Sequence, residues 1–149
     1  MKNNKSIISF IIGILILIAL IVYLNSSQPK IKGGNSNVPC TDPNLPLLQH
    51  IHPVLKIFVD DKQEIVPTEI GITSSCEYVL HTHDDTGIIH VETQDARQYT
   101  LGDFLNVWGK SINRAGYNLK VTANGKSVEN PTDLILKDDQ QIEIDYTKN

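Results

Sequence analysis

Basic residues are in the minority in this chain. The sequence carries 13 Lys and Arg against 17 Asp and Glu. Lys2 and Lys5 precede a long uncharged run, so beyond residue 24 there remain 11 basic and 17 acidic residues, a net charge near −6. That balance lacks the basic footprint of a nucleic-acid binder and disfavours an anionic lipid surface, so no nucleic-acid partner is expected. Cysteine is scarce, with only Cys40 and Cys76, and their separation excludes a C-x-x-C pair. The chain has no G-x-S-x-G elbow, P-loop, dinucleotide fingerprint or H-E-x-x-H pair, so no motif marks an enzyme class. The "DTG" at residues 85–87 matches the aspartic-protease triplet in letters only, because a working dyad needs a second such Asp. Histidine is missing from most of the chain: all five lie between His50 and His90.

What is present begins with "IISFIIGILILIALIVYL", residues 7–24, which carries no charge. At a rise of about 1.5 Å per residue this run spans about 27 Å as a helix, close to a hydrocarbon core of about 30 Å. "IVYLNSSQPK" offers no good small-x-small cleavage site, so the run reads as a retained transmembrane signal anchor behind a short cytoplasmic segment, residues 1–6. Residues 25–39, rich in Ser, Asn, Gly and Pro, read as a flexible linker. A globular domain is expected over residues 40–146, outside the cytoplasm and tethered to the cell membrane. Both cysteines lie beyond the anchor. They fit one disulfide closing a loop of roughly 35 residues, the alternative being two unrelated buried thiols.

Strand signals dominate the domain, which is expected to be α+β and mostly β. "QHIHPVLKIFV" alternates, with Ile51, Leu55, Ile57 and Val59 on one face and His50, His52 and Lys56 on the other. "EYVLHTH" and "IIHVE" flank "DDTG" as a hairpin. Leu101, Phe104, Leu105 and Trp108 follow helical spacing, with Thr100 as N-cap, Asp103 completing a capping box, and Gly109 or Gly116 as the stop. "YNLKVTA", an "NG" turn, "KSVE" and "QIEIDY" complete a β-rich tail. The stretches starting at Leu55 and Leu119 align without gaps at an offset of 64, including Lys56/Lys120, Pro67/Pro131 and Thr68/Thr132. From residue 77 onward the order hairpin, helix, strand, short strand, strand resembles a ubiquitin-like β-grasp, which implies a sheet packed on one amphipathic helix but no activity. "HIHPVLKIFVDDKQEIVP…LHTHDDTGIIHVE…YTLGDFLNVWG" also resembles a family of membrane-anchored or secreted prokaryotic proteins. These share an "LHTHD-x-(S/T)-G-x-IH-x-E"-like hairpin and a "TLG-x-F-x-x-W" helix. The likeness covers most of residues 49–109 and departs where Thr86 directly follows Asp85. It implies a common fold and the recurrence of these histidines, without an activity.

The histidines carry the most chemistry. Residues i and i+2 of a strand share a face, so "HIH" and "HTH" each present two imidazoles together. If Asp84 pairs with Gly87, His81 lies opposite His90 and Val79 opposite Glu92. His81, His83, His90 and Glu92 then share one face above Tyr78, Leu80, Thr82, Ile89 and Val91; a one-residue slip would mix polar with apolar. If the His50–His52 strand lies beside the "LHTH" strand, up to five imidazoles converge, a donor set suited to copper or zinc. Glu92, Asp84 and Asp85 are expected as further ligands or as acceptors that orient the rings. Two other readings stay open: a hydrogen-bonded, pH-sensitive polar patch and general acid–base chemistry. The expected function is a non-enzymatic transition-metal-binding domain. The runner-up is a cell-surface protein–protein interaction module without metal, and a small metal-dependent hydrolase comes third because about 105 residues leave little room for a cleft.

Overall fold

The computed structural model describes residues 13–18, 20 and 37–149. The chain divides into two units, Met1–Lys30 and Ile31–Asn149. Of the first, residues 13–18 and 20 are helical. No helix among the described residues is long and apolar enough to cross a membrane. The rest of the anchor expected over residues 7–24, and the linker up to residue 36, lie outside the described residues.

In the second unit, short strands with alternating burial form two sheets. β1 is Gln49–Ile51, β2 Val54–Val59, β3 Lys62–Glu64, β4 Leu80–His81, β5 His90–Thr93, β6 Tyr117–Ala123, β7 Lys126–Ser127 and β8 Gln141–Lys148. The larger sheet has the order β3-β2-β8-β6-β7, with β8 central, parallel to β2 and antiparallel to β6. Its registers align Leu55 with Ile142, Ile57 with Ile144, and Val121 with Ile144, and all five side chains are buried. Among the described residues of this unit the one α-helix, α1 (Leu101–Trp108), has both halves of the capping box between Thr100 and Asp103 and ends at Gly109 in the left-handed region. It adds Leu101, Phe104, Leu105 and Val107 to the same core. Trp108 is only partly buried, and Val107 is buried instead, close to Gly71. The helix therefore buries a second flank, which the spacing of its large residues does not reveal.

The two aligned stretches found in the sequence form equivalent hairpins. Asp60 and Asp61, and likewise Asn124 and Gly125, have positive φ, and the pairs Val59–Lys62 and Ala123–Lys126 close two-residue turns. Each turn fastens one end of β8: Asp60 Oδ1 accepts from the Lys148 N–H at 2.8 Å, and Asn124 Oδ1 from the Gln141 N–H at 2.8 Å. The stretches diverge after their Pro-Thr corners. Pro131–Asp133 forms a 3-10 turn that leads back into this sheet, whereas residues 67–71 lead to β4.

The smaller sheet, in the order β1-β5-β4, is antiparallel throughout. The hairpin expected to join the helix-backed sheet belongs here instead. The strand expected to run unbroken through "QHIHPVLKIFV" also divides, at His52-Pro53. Proline has no N–H to give a ladder and disfavours a regular strand through it, so the chain leaves one sheet there and enters the other. The Cys40–Cys76 disulfide is present, with Cα atoms 5.4 Å apart. It holds the incoming chain beside β4, where Thr41 N–H donates to Glu77 O at 2.7 Å and Val79 N–H to Pro39 O at 3.1 Å.

Candidate metal centre

The smaller sheet places the histidines. On β5, His90 and Glu92 are two residues apart and face the same way. β4 sets His81 directly opposite His90, and β1 sets His50 opposite Glu92. The 81/90 pairing is the register expected from the segregation of faces, and Leu80, Thr82, Ile89 and Val91 are buried beneath it. Two expectations fail in detail. β1 lies against β5, not against the "LHTH" strand, because β5 occupies the middle of the sheet. The ladder also stops at His81/His90 and does not reach Asp84/Gly87. Beyond it, neighbouring segments take the hydrogen bonds: Thr82 N–H donates to Ile70 O, Leu55 N–H to Gly87 O and Ile89 N–H to Pro53 O. Gly87 permits this approach, since a Cβ there would lie 2.2 Å from Leu55 O.

The other four imidazoles nevertheless gather around His90. Its ring centroid is 4.5 Å from that of His83, 5.3 Å from that of His81, 4.8 Å from that of His52 and 6.1 Å from that of His50. The Nε2 atoms of His81 and His83 are 3.2 Å apart, and those of His50 and His52 are 3.0 Å apart. Glu92 Oε1 sits among them, 3.1 Å from His50 Nε2, 3.4 Å from His90 Nδ1 and 3.9 Å from His81 Nε2. His81, His83, His90 and Glu92 are spaced so that they could hold a metal ion, as are His50, His52 and His90; within each group one donor atom per residue lies within 4.8 Å of the others.

The electrostatics turn on His81, whose side chain is fully buried. Its Nδ1 lies 2.8 Å from Tyr78 O, and a carbonyl can only accept, so Nδ1 carries the proton. In the neutral ring Nε2 is then a lone pair, placed to accept from His83 Nε2 at 3.2 Å. It faces Glu77 Oε1 at 3.3 Å and Glu92 Oε1 at 3.9 Å, both acceptors when ionised. Desolvation by burial holds the His81 pKa below its usual value, although the Tyr78 carbonyl and the Glu77 and Glu92 carboxylates oppose it. The His90 pKa is lowered too, first by desolvation and then by its histidine neighbours. Its Nδ1 is buried without a hydrogen bond, the approach to Glu92 at 3.4 Å lacking the geometry of one. The site thus gathers lone pairs and carboxylates around His81 and His90, two rings that resist protonation, an arrangement that a bound cation would neutralise.

Asp84 and Asp85 belong to neither donor group. Asp84 Oδ1 instead accepts from the Thr86 backbone N–H at 3.0 Å and from its hydroxyl, closing a local turn. Two acids outside the expected set lie at the site. Glu77 approaches His81, and strand alternation through Glu77, Val79 and His81 could have signalled it. Asp138 accepts from the His52 backbone N–H at 2.9 Å and lies 3.9 Å from His52 Nδ1. It comes from the turn before β8, 86 residues away, and no local pattern points to it.

The fold and the site define an α+β, disulfide-bonded domain with a histidine- and carboxylate-lined surface. No family model, curated protein or solved structure matches this chain.

Proposed function

We propose that this chain is a non-enzymatic metal-binding protein that holds a transition metal, copper or zinc, on the face of its smaller sheet. The observation that carries this reading is the buried Nε2 lone pair of His81, turned toward His83 and two carboxylates. A metal ion takes the place of a proton that burial disfavours. The donors are imidazole and carboxylate, with both cysteines tied in the disulfide, which suits zinc(II) or copper(II) better than copper(I). The disulfide supports an oxidising location, and the uncharged run over residues 7–24 supports anchorage to the cell membrane with the domain outside.

The strand order, with the first and last strands of the larger sheet, β2 and β8, paired in parallel, supports a β-grasp-like core. Its hairpin would be β2–β3, and the histidine sheet would be built largely from the stretch between that hairpin and the helix. On this reading the family with the "LHTHD…GIIHVE" hairpin shares the histidine sheet as well as the core. A second reading has its own support: Leu45, Leu47 and Leu48, just before β1, are exposed and would suit a protein partner at the cell surface.

Metal analysis and titration of the full chain test the proposal, with His81→Ala and His83→Ala as controls. Stoichiometric zinc or copper, weakened in both variants, is the expected result. A wild-type chain that binds neither ion would leave the interaction reading in its place.

A further inference from the structure

We infer that the histidine face is a two-ion centre, with one metal on the His81–His83 pair, a second on the His50–His52 pair, and His90 shared between them. The inference rests on the metal-binding reading above and goes further in fixing how many ions bind and how the donors divide.

The rings form two triangles with a common vertex. One triangle joins His81, His83 and His90, with centroid separations of 4.7, 5.3 and 4.5 Å. The other joins His50, His52 and His90, at 4.6, 4.8 and 6.1 Å. Among the described residues, no ring contact links His50 or His52 directly to His81 or His83, so the two pairs meet only at His90.

Each pair has the spacing of two ligands on one ion. Nitrogens bound to a tetrahedral zinc at about 2.0–2.1 Å sit about 3.3 Å apart. The observed Nε2–Nε2 separations are 3.2 Å and 3.0 Å. Five imidazoles also exceed what one four-coordinate ion can take, before any carboxylate is counted. His90 belongs to both donor groups; a neutral imidazole offers only one lone pair, so the ring bridges two ions as an imidazolate, its N–H proton passing to solvent as the second ion binds. Glu92 is placed to support the shared position. Its Oε1 lies 3.1 Å from a nitrogen of one pair and 3.9 Å from a nitrogen of the other. Glu77 and Asp138 then stand at opposite ends, each beside one pair. Two divalent ions would balance this concentration of carboxylate, whereas one ion leaves a histidine pair and an acid idle.

The test is a stoichiometry measurement on the full chain with zinc, by titration calorimetry and elemental analysis, followed by electron paramagnetic resonance with copper(II). The expected result is two ions per chain. The double variant His50→Ala/His52→Ala should keep one. His83→Ala, at an exposed position and so tolerable to the fold, should weaken the other at least tenfold. With both sites filled by copper(II), spin coupling should diminish the ordinary signal, and the His50→Ala/His52→Ala variant should restore an isolated-ion spectrum. One ion per chain, lost alike when either pair is altered, would overturn the two-ion centre while leaving metal binding in place. No bound ion in the wild-type chain would overturn both.

Discussion

Gly71 is a position where a single added methyl group should damage the site without replacing a ligand. It has φ 76°, and a Cβ built there would lie 2.3 Å from Leu80 O, 3.0 Å from Val107 Cγ1 and 3.2 Å from His81 Cβ. The left-handed backbone alone costs a non-glycine residue about 1–2 kcal/mol. The contact with Leu80 O adds an overpacking cost of about 1–3 kcal/mol, because the oxygen belongs to β4 and cannot rotate away. Gly71→Ala is therefore expected to lose about 2–5 kcal/mol, by summing these two contributions. Gly116 separates them: its φ is 81°, and a Cβ there meets nothing within 4 Å. Gly116→Ala should lose only the backbone part, about 1–2 kcal/mol. Urea denaturation of the two variants, with the disulfide intact, measures the difference. The variant at Gly71 should also bind zinc at least tenfold more weakly, since the added methyl pushes on the strand that carries His81. Equal stability losses at the two glycines would refute the claim that close packing behind β4 positions the site.

Three further outcomes follow from the same structure. In metal-free protein, His81 and His90 have folded pKa values below that of the free side chain, about 6.5. The unfolded chain thus takes up protons first on acidification. Stability should be complete above about pH 6.5, decline as the pH falls below it, and level off once the folded rings protonate; a flat denaturation midpoint between pH 7 and 5 would contradict this. Replacing Cys40 and Cys76 by Ala opens a loop of 36 residues and should cost about 3–4 kcal/mol, read as a fall in melting temperature that reductant reproduces in the wild type. Thr100→Ala removes the hydroxyl that accepts from the Asp103 N–H and should cost about 1 kcal/mol in denaturant, with zinc affinity unchanged.

Much of the site was legible because it depends on short-range periodicity. His81 opposite His90, the buried face of Leu80, Ile89 and Val91, and the capping box at Thr100 all follow from neighbours within a dozen residues. The two turn sequences "DD" and "NG" likewise mark hairpins that the chain forms. What escaped depends on pairing between distant segments. Strand alternation shows that His50 and His52 share a side, but not that β1 docks on β5. Pro53 was visible as a strand breaker, yet only the two-sheet arrangement gives the break its meaning, by letting one continuous stretch serve both sheets. Asp138 reaches His52 because β2 and β8 run parallel, a relation between the first and last strands of the larger sheet that no local window contains.

The central place of β8 has a consequence for how the molecule is made. Every other strand of the larger sheet is synthesised before the one that joins its two hairpins, so β2–β3 and β6–β7 must wait, each with an unpaired edge, until residues 141–148 have left the ribosome. The histidine sheet needs only strands from residues 49–93. Pairings between distant strands form slowly, whereas nearer ones close first. The histidine face is thus the part of the domain that can assemble earliest, and an ion captured there would fasten the nascent chain before its main sheet has closed.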